Sequence, residues 1–217
     1  MSSRGHRRDL LADAAIEVLA REGGRGLTHR AIDREAEVPE GTTKNYHATR
    51  EALFLAVARR MADQYTEAMR ALREQVPDDV TRDDIAVLYG AMLQRMASTG
   101  RSQFLALFEL HLEGVRRPEV RAALGEMKLA NVDSAVRLHE AVREPVDRRG
   151  GGLLDAGLLG VAMSVLSLPE EVVHQIGFDD PEVLVRSLLS GAAAGFSGAV
   201  AVPSTGGGAG TLQDRAI

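Results

Sequence analysis

Apolar residues recur at every third or fourth position along most of this chain, the spacing that lines one face of an α-helix. Leu11, Ala15 and Leu19, beside Leu10, Ala14 and Val18, predict a first helix from about Gly5 to Glu22, stopped by Gly23 and Gly24. Leu53, Phe54, Val57, Met61, Tyr65, Ala68 and Leu72 predict one long helix from Arg50 to about Gln75, with a boundary at Val76-Pro77-Asp78-Asp79. Thr81 and Asp84 form a capping-box variant for a helix reaching Ser98, and Thr99-Gly100 breaks the chain after it. Phe104, Leu107, Phe108, His111 and Leu112 share one face of a helix from Arg101 to about Val115, and Pro118 opens another that reaches Arg143. Arg148 to Gly152, with three consecutive glycines, predicts a flexible turn. Two further helices follow, Leu153 to Ile176 and Pro181 to Ala201, before a Gly-rich tail from Pro203 that predicts disorder. No segment shows the alternation of a strand and no repeat is present, so the expected class is all-α with about nine helices.

Between the first and the long helix the periodicity shortens and the residues turn polar. Thr28 offers a hydroxyl to cap a helix on which Ile32 and Ala36 fall four apart, and Val38 fills a corner. A second helix, about Glu40 to Tyr46, carries Thr42, Thr43, Lys44, Asn45 and Tyr46. It is too short and too polar to serve core volume alone. Two short helices, a tight turn and a third helix are the layout of a helix-turn-helix, whose second helix reads a DNA groove.

Gly26-Leu27-Thr28, Ala31-Ile32, Ala36-x-Val38, Gly41-Thr42-Thr43, Asn45-Tyr46 and Arg50-Glu51-Ala52-Leu53, with this spacing, resemble the TetR-type one-component transcriptional regulators over the first 60 or so residues. Glu37, Pro39 and His47 depart from the residues usual in that family, a turn glycine, a capping serine and a buried phenylalanine. The resemblance implies a three-helix DNA-binding domain over residues 1–50, a C-terminal effector-binding and dimerisation domain over 51–202, and a tail over 203–217. It places Thr42, Thr43, Lys44, Asn45 and Tyr46 at the recognition helix, with Thr42, Lys44 and Asn45 reaching bases or phosphates, and Thr28, Arg30, Tyr46 and Arg50 holding phosphates. Arg4, Arg7 and Arg8 read either as a basic arm for the neighbouring minor groove or as a disordered, solubilising end.

The net charge of −5 argues at first against a nucleic-acid partner. Residues 1–60, however, carry 11 Lys and Arg against 9 Asp and Glu, a net of +2, while the remainder carries −7. The asymmetry has the right sign and is modest, so any field is local. Of the 217 residues 45% are hydrophobic, enough for a real core, and none is cysteine, which removes disulfides, thiolate nucleophiles and Cys-based zinc sites. The sequence predicts neither a signal peptide nor a bilayer-spanning run, and the expected location is the cytoplasm.

Two further sets of residues bear on function. Met92, Met96, Phe104, Phe108, His111 and Met127 either line an effector cavity between helices, as the resemblance implies, or simply fill a core. Leu153, Leu154, Leu158, Leu159, Val161, Met163, Val165 and Leu166 wrap nearly all round one helix, and Ser187, Gly191, Gly195 and Gly198 put small residues on the next. A homodimer through these last two helices would cover both, and a purely intrachain core would too, less comfortably in a chain of this size. The six histidines show no metal spacing, and no nucleophile elbow, P-loop or dinucleotide fingerprint appears, so neither an enzyme nor a metal or cofactor is expected. The reading is a ligand-released repressor that binds a near-palindromic operator of double-stranded DNA as a dimer. The alternative is a small-molecule-binding or protein-interaction module that has lost specific DNA binding.

Overall fold

Gly23 breaks the first helix with φ 68°, and the turn it begins puts the start of the helix-turn-helix against the rest of the protein. The structure, a computed structural model, describes residues 3–75, 80–143 and 145–193. They form α1 (Ser3–Gly26), α2 (His29–Glu35), α3 (Thr42–Tyr46), α4 (Arg50–Gln75), α5 (Arg82–Ala97), α6 (Arg101–Arg116), α7 (Pro118–Ala141), α8 (Arg148–Ser167), α9 (Glu170–Gln175) and α10 (Pro181–Ala193). No strand occurs among the described residues, and the fold is all-α as expected. The expected boundary at 76–79, the interface glycines Gly195 and Gly198, the last helix beyond Ala193 and the tail over 203–217 lie outside the described residues.

Two cores hold the helices. The first joins Leu11, Ile16 and Leu19 of α1, Ile32 of α2 and Leu53, Phe54 and Val57 of α4 to Ala106 and Leu110 of α6 and Val120, Leu124 and Met127 of α7. Each large apolar side chain so buried stabilises the fold by roughly 1.5 to 3 kcal/mol. The second core packs Ile85, Tyr89, Leu93 and Met96 of α5 against Leu154, Leu158 and Val161 of α8 and Val185 and Leu189 of α10. The helix-turn-helix therefore packs on α1, which in turn lies against α4 and α6. Arg60 of α4 adds a two-pronged bond to Asp13 of α1, at 2.7 and 2.8 Å.

The glycine run expected to be a flexible turn is instead the first turn of α8. Asp147 caps it, accepting the Gly150 N–H at 2.7 Å. A Cβ on Gly150 would stand 2.9 Å from the carbonyl oxygen of Ala192, and one on Gly151 would meet Val132 at 3.4 Å. The glycines are there so that α10 and α7 can approach closely. The helix expected over 153–176 is also two, because Pro169 follows Leu168 and restricts it to the extended conformation (φ −97°, ψ 154°), ending α8 before α9 begins.

Among the described residues α8 is the helix long and apolar enough to cross a membrane, with mean hydropathy 1.4. One of its faces, with Leu154, Leu158 and Val161, belongs to the second core. Another, with Leu153, Ala156, Gly160 and Met163 at spacings of three or four, is exposed.

Candidate nucleic-acid interface

The α2–α3 segment is built around one buried carboxylate. Thr28 caps α2, its hydroxyl accepting the Ala31 N–H at 3.2 Å, and Asp33 then falls on the inner face of the helix with 2% of its surface exposed. From there it reaches the start of α3. The amide and hydroxyl of Thr43 both donate to Asp33 Oδ1, at 2.7 and 2.6 Å, and the Gly41 amide donates to Oδ2 at 2.7 Å. Burial pushes the Asp33 carboxyl up, but the bonds from Thr43 and Gly41, with His29 nearby, outweigh it and hold the group below its ordinary value.

The other end of α3 is held as well. His47 closes the helix, its N–H donating to the Thr43 carbonyl at 2.8 Å, and the His29 ring bonds the His47 carbonyl at 2.6 Å. Since a carbonyl only accepts, His29 Nε2 carries the proton in this contact. The His47 ring is half-buried. Burial lowers its basicity, and Arg8, His29 and Arg59 add to the effect.

Glu37, in the turn, has φ 52°, the left-handed conformation that glycine adopts most easily, and Gly41 before α3 has φ 92°. Held this way, α3 exposes Lys44 and Asn45, while Tyr46 lies half-buried against the first core. Thr28 and Arg30 are exposed beside it, and the Thr42 hydroxyl donates to the Pro39 carbonyl at 2.6 Å, which leaves its oxygen free to accept.

Two expected DNA contacts are scaffold instead. Thr43 has none of its surface exposed, because its hydroxyl is spent on Asp33. Arg50 turns inward: it donates to the carbonyls of Leu27, at 2.8 Å, and Gly24, and its guanidinium lies 5.5 Å from the centre of the Phe54 ring. Arg4, Arg7 and Arg8 are exposed residues of α1, on one face of a helix rather than in an extended arm. The residue missed from the sequence is Asp33, which reads there as one more charge on a short polar helix; no local spacing announces a partner ten residues away.

The junction with the rest of the fold is equally specific. Glu109 of α6 accepts the Gly24 N–H at 2.9 Å, and Arg117, bonded to Glu113 at 2.7 Å, lies 5.1 Å from the Phe54 ring centre.

Residues 80–195 match the family model described as the tetracyclin repressor-like C-terminal domain, more than half of the chain. The chain belongs to the TetR family. Among solved structures, the multidrug binding protein EbrR complexed with ethidium is 26% identical over 85% of this chain and 96% of its own, with a TM-score of 0.61. A TetR family member, SCO1917 from Streptomyces coelicolor A3, is 25% identical over 85% of this chain and 96% of that one, with a TM-score of 0.62. A putative TetR-family regulator from Rhodococcus sp. shares the fold at 19% identity, covering 87% and 99% with a TM-score of 0.65. No curated protein sequence matches the chain.

In this TetR-family protein the six residues expected at a cavity are spread over the two cores and α6. Met127 belongs to the first core, Met92, Met96 and Phe104 to the second, and the His111 ring bonds the Leu107 carbonyl of its own helix at 2.9 Å. The helical period put Phe104, Phe108 and His111 on one face; α6 packs into both cores, Phe104 joining the second while Phe108 and His111 are half-buried. Polar aromatic groups meet elsewhere: Tyr89 and His139, 7% and 5% exposed, stack with ring centres 6.1 Å apart. Burial pushes both the Tyr89 and Tyr65 hydroxyls up, that of Tyr65 to about 12. A cleft of about 450 Å³ lies between Leu10, Asp13 and Glu17 of α1, Ala36 beyond α2, Gln64 of α4 and Gln103 of α6, and none of the six residues lines it.

Proposed function

We propose that this TetR-family regulator binds operator DNA through α3 as a homodimer and that a small organic molecule releases it. The observation that carries the DNA reading is the bracing of α3: Asp33 at one end and His29 at the other hold a five-residue helix whose outward side chains are Lys44 and Asn45. A helix this short has no stability of its own, so a fold that holds it rigid and exposes donors from it suits base recognition. Asn45 pairs with adenine, Lys44 takes a guanine edge or a phosphate, and Thr28 and Thr42 set the register.

The dimer reading rests on the exposed α8 stripe of Leu153, Ala156, Gly160 and Met163, with Ser187 and Gly191 exposed on the adjacent α10. A Cβ on Gly160 or Gly191 would meet nothing within 4 Å, so a partner backbone has room to approach. Two recognition helices related by a two-fold axis match a near-palindromic site. The effector reading draws on the likeness to EbrR, whose structures hold ethidium and other small molecules. Residues 51–202 would form the effector-binding and dimerisation domain.

Selection of bound sequences from random DNA, followed by titration of the selected site against salt, tests the reading. The expected result is a two-fold-related sequence bound with an affinity that falls steeply with salt. A helical interaction module without DNA function gives no enriched sequence.

A further inference from the structure

We infer that Arg30 and Glu40 act as one reading unit that selects a G·C pair in each operator half-site, with Arg30 on the guanine and Glu40 on the cytosine. The inference rests on the proposed DNA reading and goes beyond it to a base pair. Glu40 stands immediately before Gly41, the residue that caps α3, and the amino-terminal end of a recognition helix is the part that meets base edges. Arg30 reaches it from α2, Nε to Oε1 at 2.6 Å. The two side chains are 83% and 68% exposed, so the pair stands out from the surface rather than serving the fold. Ion pairs this exposed contribute little to stability.

The turn that presents Glu40 is itself fixed. Asp33 holds the Gly41 amide at 2.7 Å, and Pro39 accepts both the Thr42 amide at 3.1 Å and the Thr42 hydroxyl at 2.6 Å. Glu40 is thus a positioned carboxylate on the surface that approaches DNA. Against phosphates it can only repel. In the major groove its natural partner is the cytosine amino group, because a carboxylate only accepts, whereas arginine is suited to guanine O6 and N7. A G·C pair sets that amino donor directly beside the two guanine acceptors. A cation and a carboxylate already in contact are complementary to that array as a unit. Reversing the pair puts an acceptor against the carboxylate, and replacing it with A·T puts an acceptor and a methyl group there. Glu40 therefore rejects wrong sequences as well as favouring the right one.

The test compares the full-length protein with Glu40→Ala, Arg30→Ala and the double variant by selection from random DNA, then by titration at one salt concentration. The protein is expected to show a G·C position in each half-site where substitution by A·T weakens binding about tenfold or more. In Glu40→Ala that discrimination should shrink to about twofold or less while binding to unrelated DNA tightens, since a repulsive charge has gone. The double variant should discriminate at that position no worse than Arg30→Ala alone. Unchanged preferences in Glu40→Ala, alongside specific binding by the parent protein, overturn the inference and leave the DNA reading standing. Absence of any sequence-specific binding by the parent protein overturns both.

Discussion

Thr43 gives both its backbone N–H and its hydroxyl to a single oxygen of Asp33, at 2.7 and 2.6 Å, and so ties the start of α3 to the helix before it. Asp33→Ala removes the acceptor and strands two buried donors. It should cost roughly 2 to 4 kcal/mol in urea denaturation and weaken binding to every DNA sequence alike. The pH dependence follows from the direction of the shift. The folded state holds the Asp33 carboxyl below its ordinary value of 3.8, so its contribution is whole above that pH and is lost as the pH falls further. The acid limb of the stability curve should be shallower in Asp33→Asn, and an unaltered limb would show that the carboxylate charge is not what holds α3.

His47 should make the protein sensitive to mild acid. Burial and the nearby Arg8, His29 and Arg59 favour the neutral ring in the fold, so the unfolded chain takes up the proton first. Stability is then whole above the ordinary histidine value of 6.5 and declines as the pH falls below it. His47→Phe fills the same half-buried place without a titrating group. Its melting temperature should exceed that of the parent by a few degrees at pH 5.5 and by less at pH 8, as read from thermal melts at the two values.

Lys44 and Asn45 should separate cleanly from Arg50. Each of the first two is exposed on α3, and Lys44→Ala or Asn45→Ala should weaken operator binding about tenfold or more at fixed salt with an unchanged melting temperature. Arg50→Ala instead removes donors from the Leu27 and Gly24 carbonyls and a cation from the Phe54 ring. A loss of roughly 1 to 3 kcal/mol in stability is expected, without a change in the salt slope of DNA binding. A reduced slope with full stability would return Arg50 to the phosphates.

Gly160→Leu tests the dimer without endangering the monomer. The site is open and helical, so leaving glycine should stabilise α8 itself by up to about 1 kcal/mol. Light scattering should nevertheless report a monomer, with operator affinity greatly reduced because one half-site remains. An intact dimer would move the interface away from this face of α8.

The helix-turn-helix was legible because its signals are local. The Thr28 cap, the four-residue spacing of Ile32 and Ala36, and the polar run from Thr42 to Tyr46 each act within one or two turns of helix. The all-α class followed from periodicity for the same reason. Leu11, Ala14, Ala15, Val18 and Leu19 of α1 and Leu53, Phe54, Val57 and Met61 of α4 face the core as the spacing predicts, since burial of such a stripe is what keeps a helix of that length in place, whereas Leu10 and Ala68 of the same predicted stripes are exposed.

What the sequence could not decide is which groups face one another across distance. A five-residue helix has too few turns for a period to say which threonine is inside, and it is Asp33 that makes Thr43 scaffold and leaves Thr42 outside. Arg50 reads as a cation at a helix start until the Gly24 and Leu27 carbonyls are seen beside it. Gly150 and Gly151 read as a turn until the Ala192 carbonyl stands against one and Val132 against the other. Likewise, Met92 and Met127 look like walls of one cavity until packing assigns them to different cores. Residue type and spacing alone determined most of the helices, the helix-turn-helix layout and the main apolar faces, because those depend on interactions within a few residues. Tertiary structure alone decided which polar groups hold the motif and which are left exposed on it, because a side chain's role depends on the partners that remain within hydrogen-bonding reach once the helices have packed.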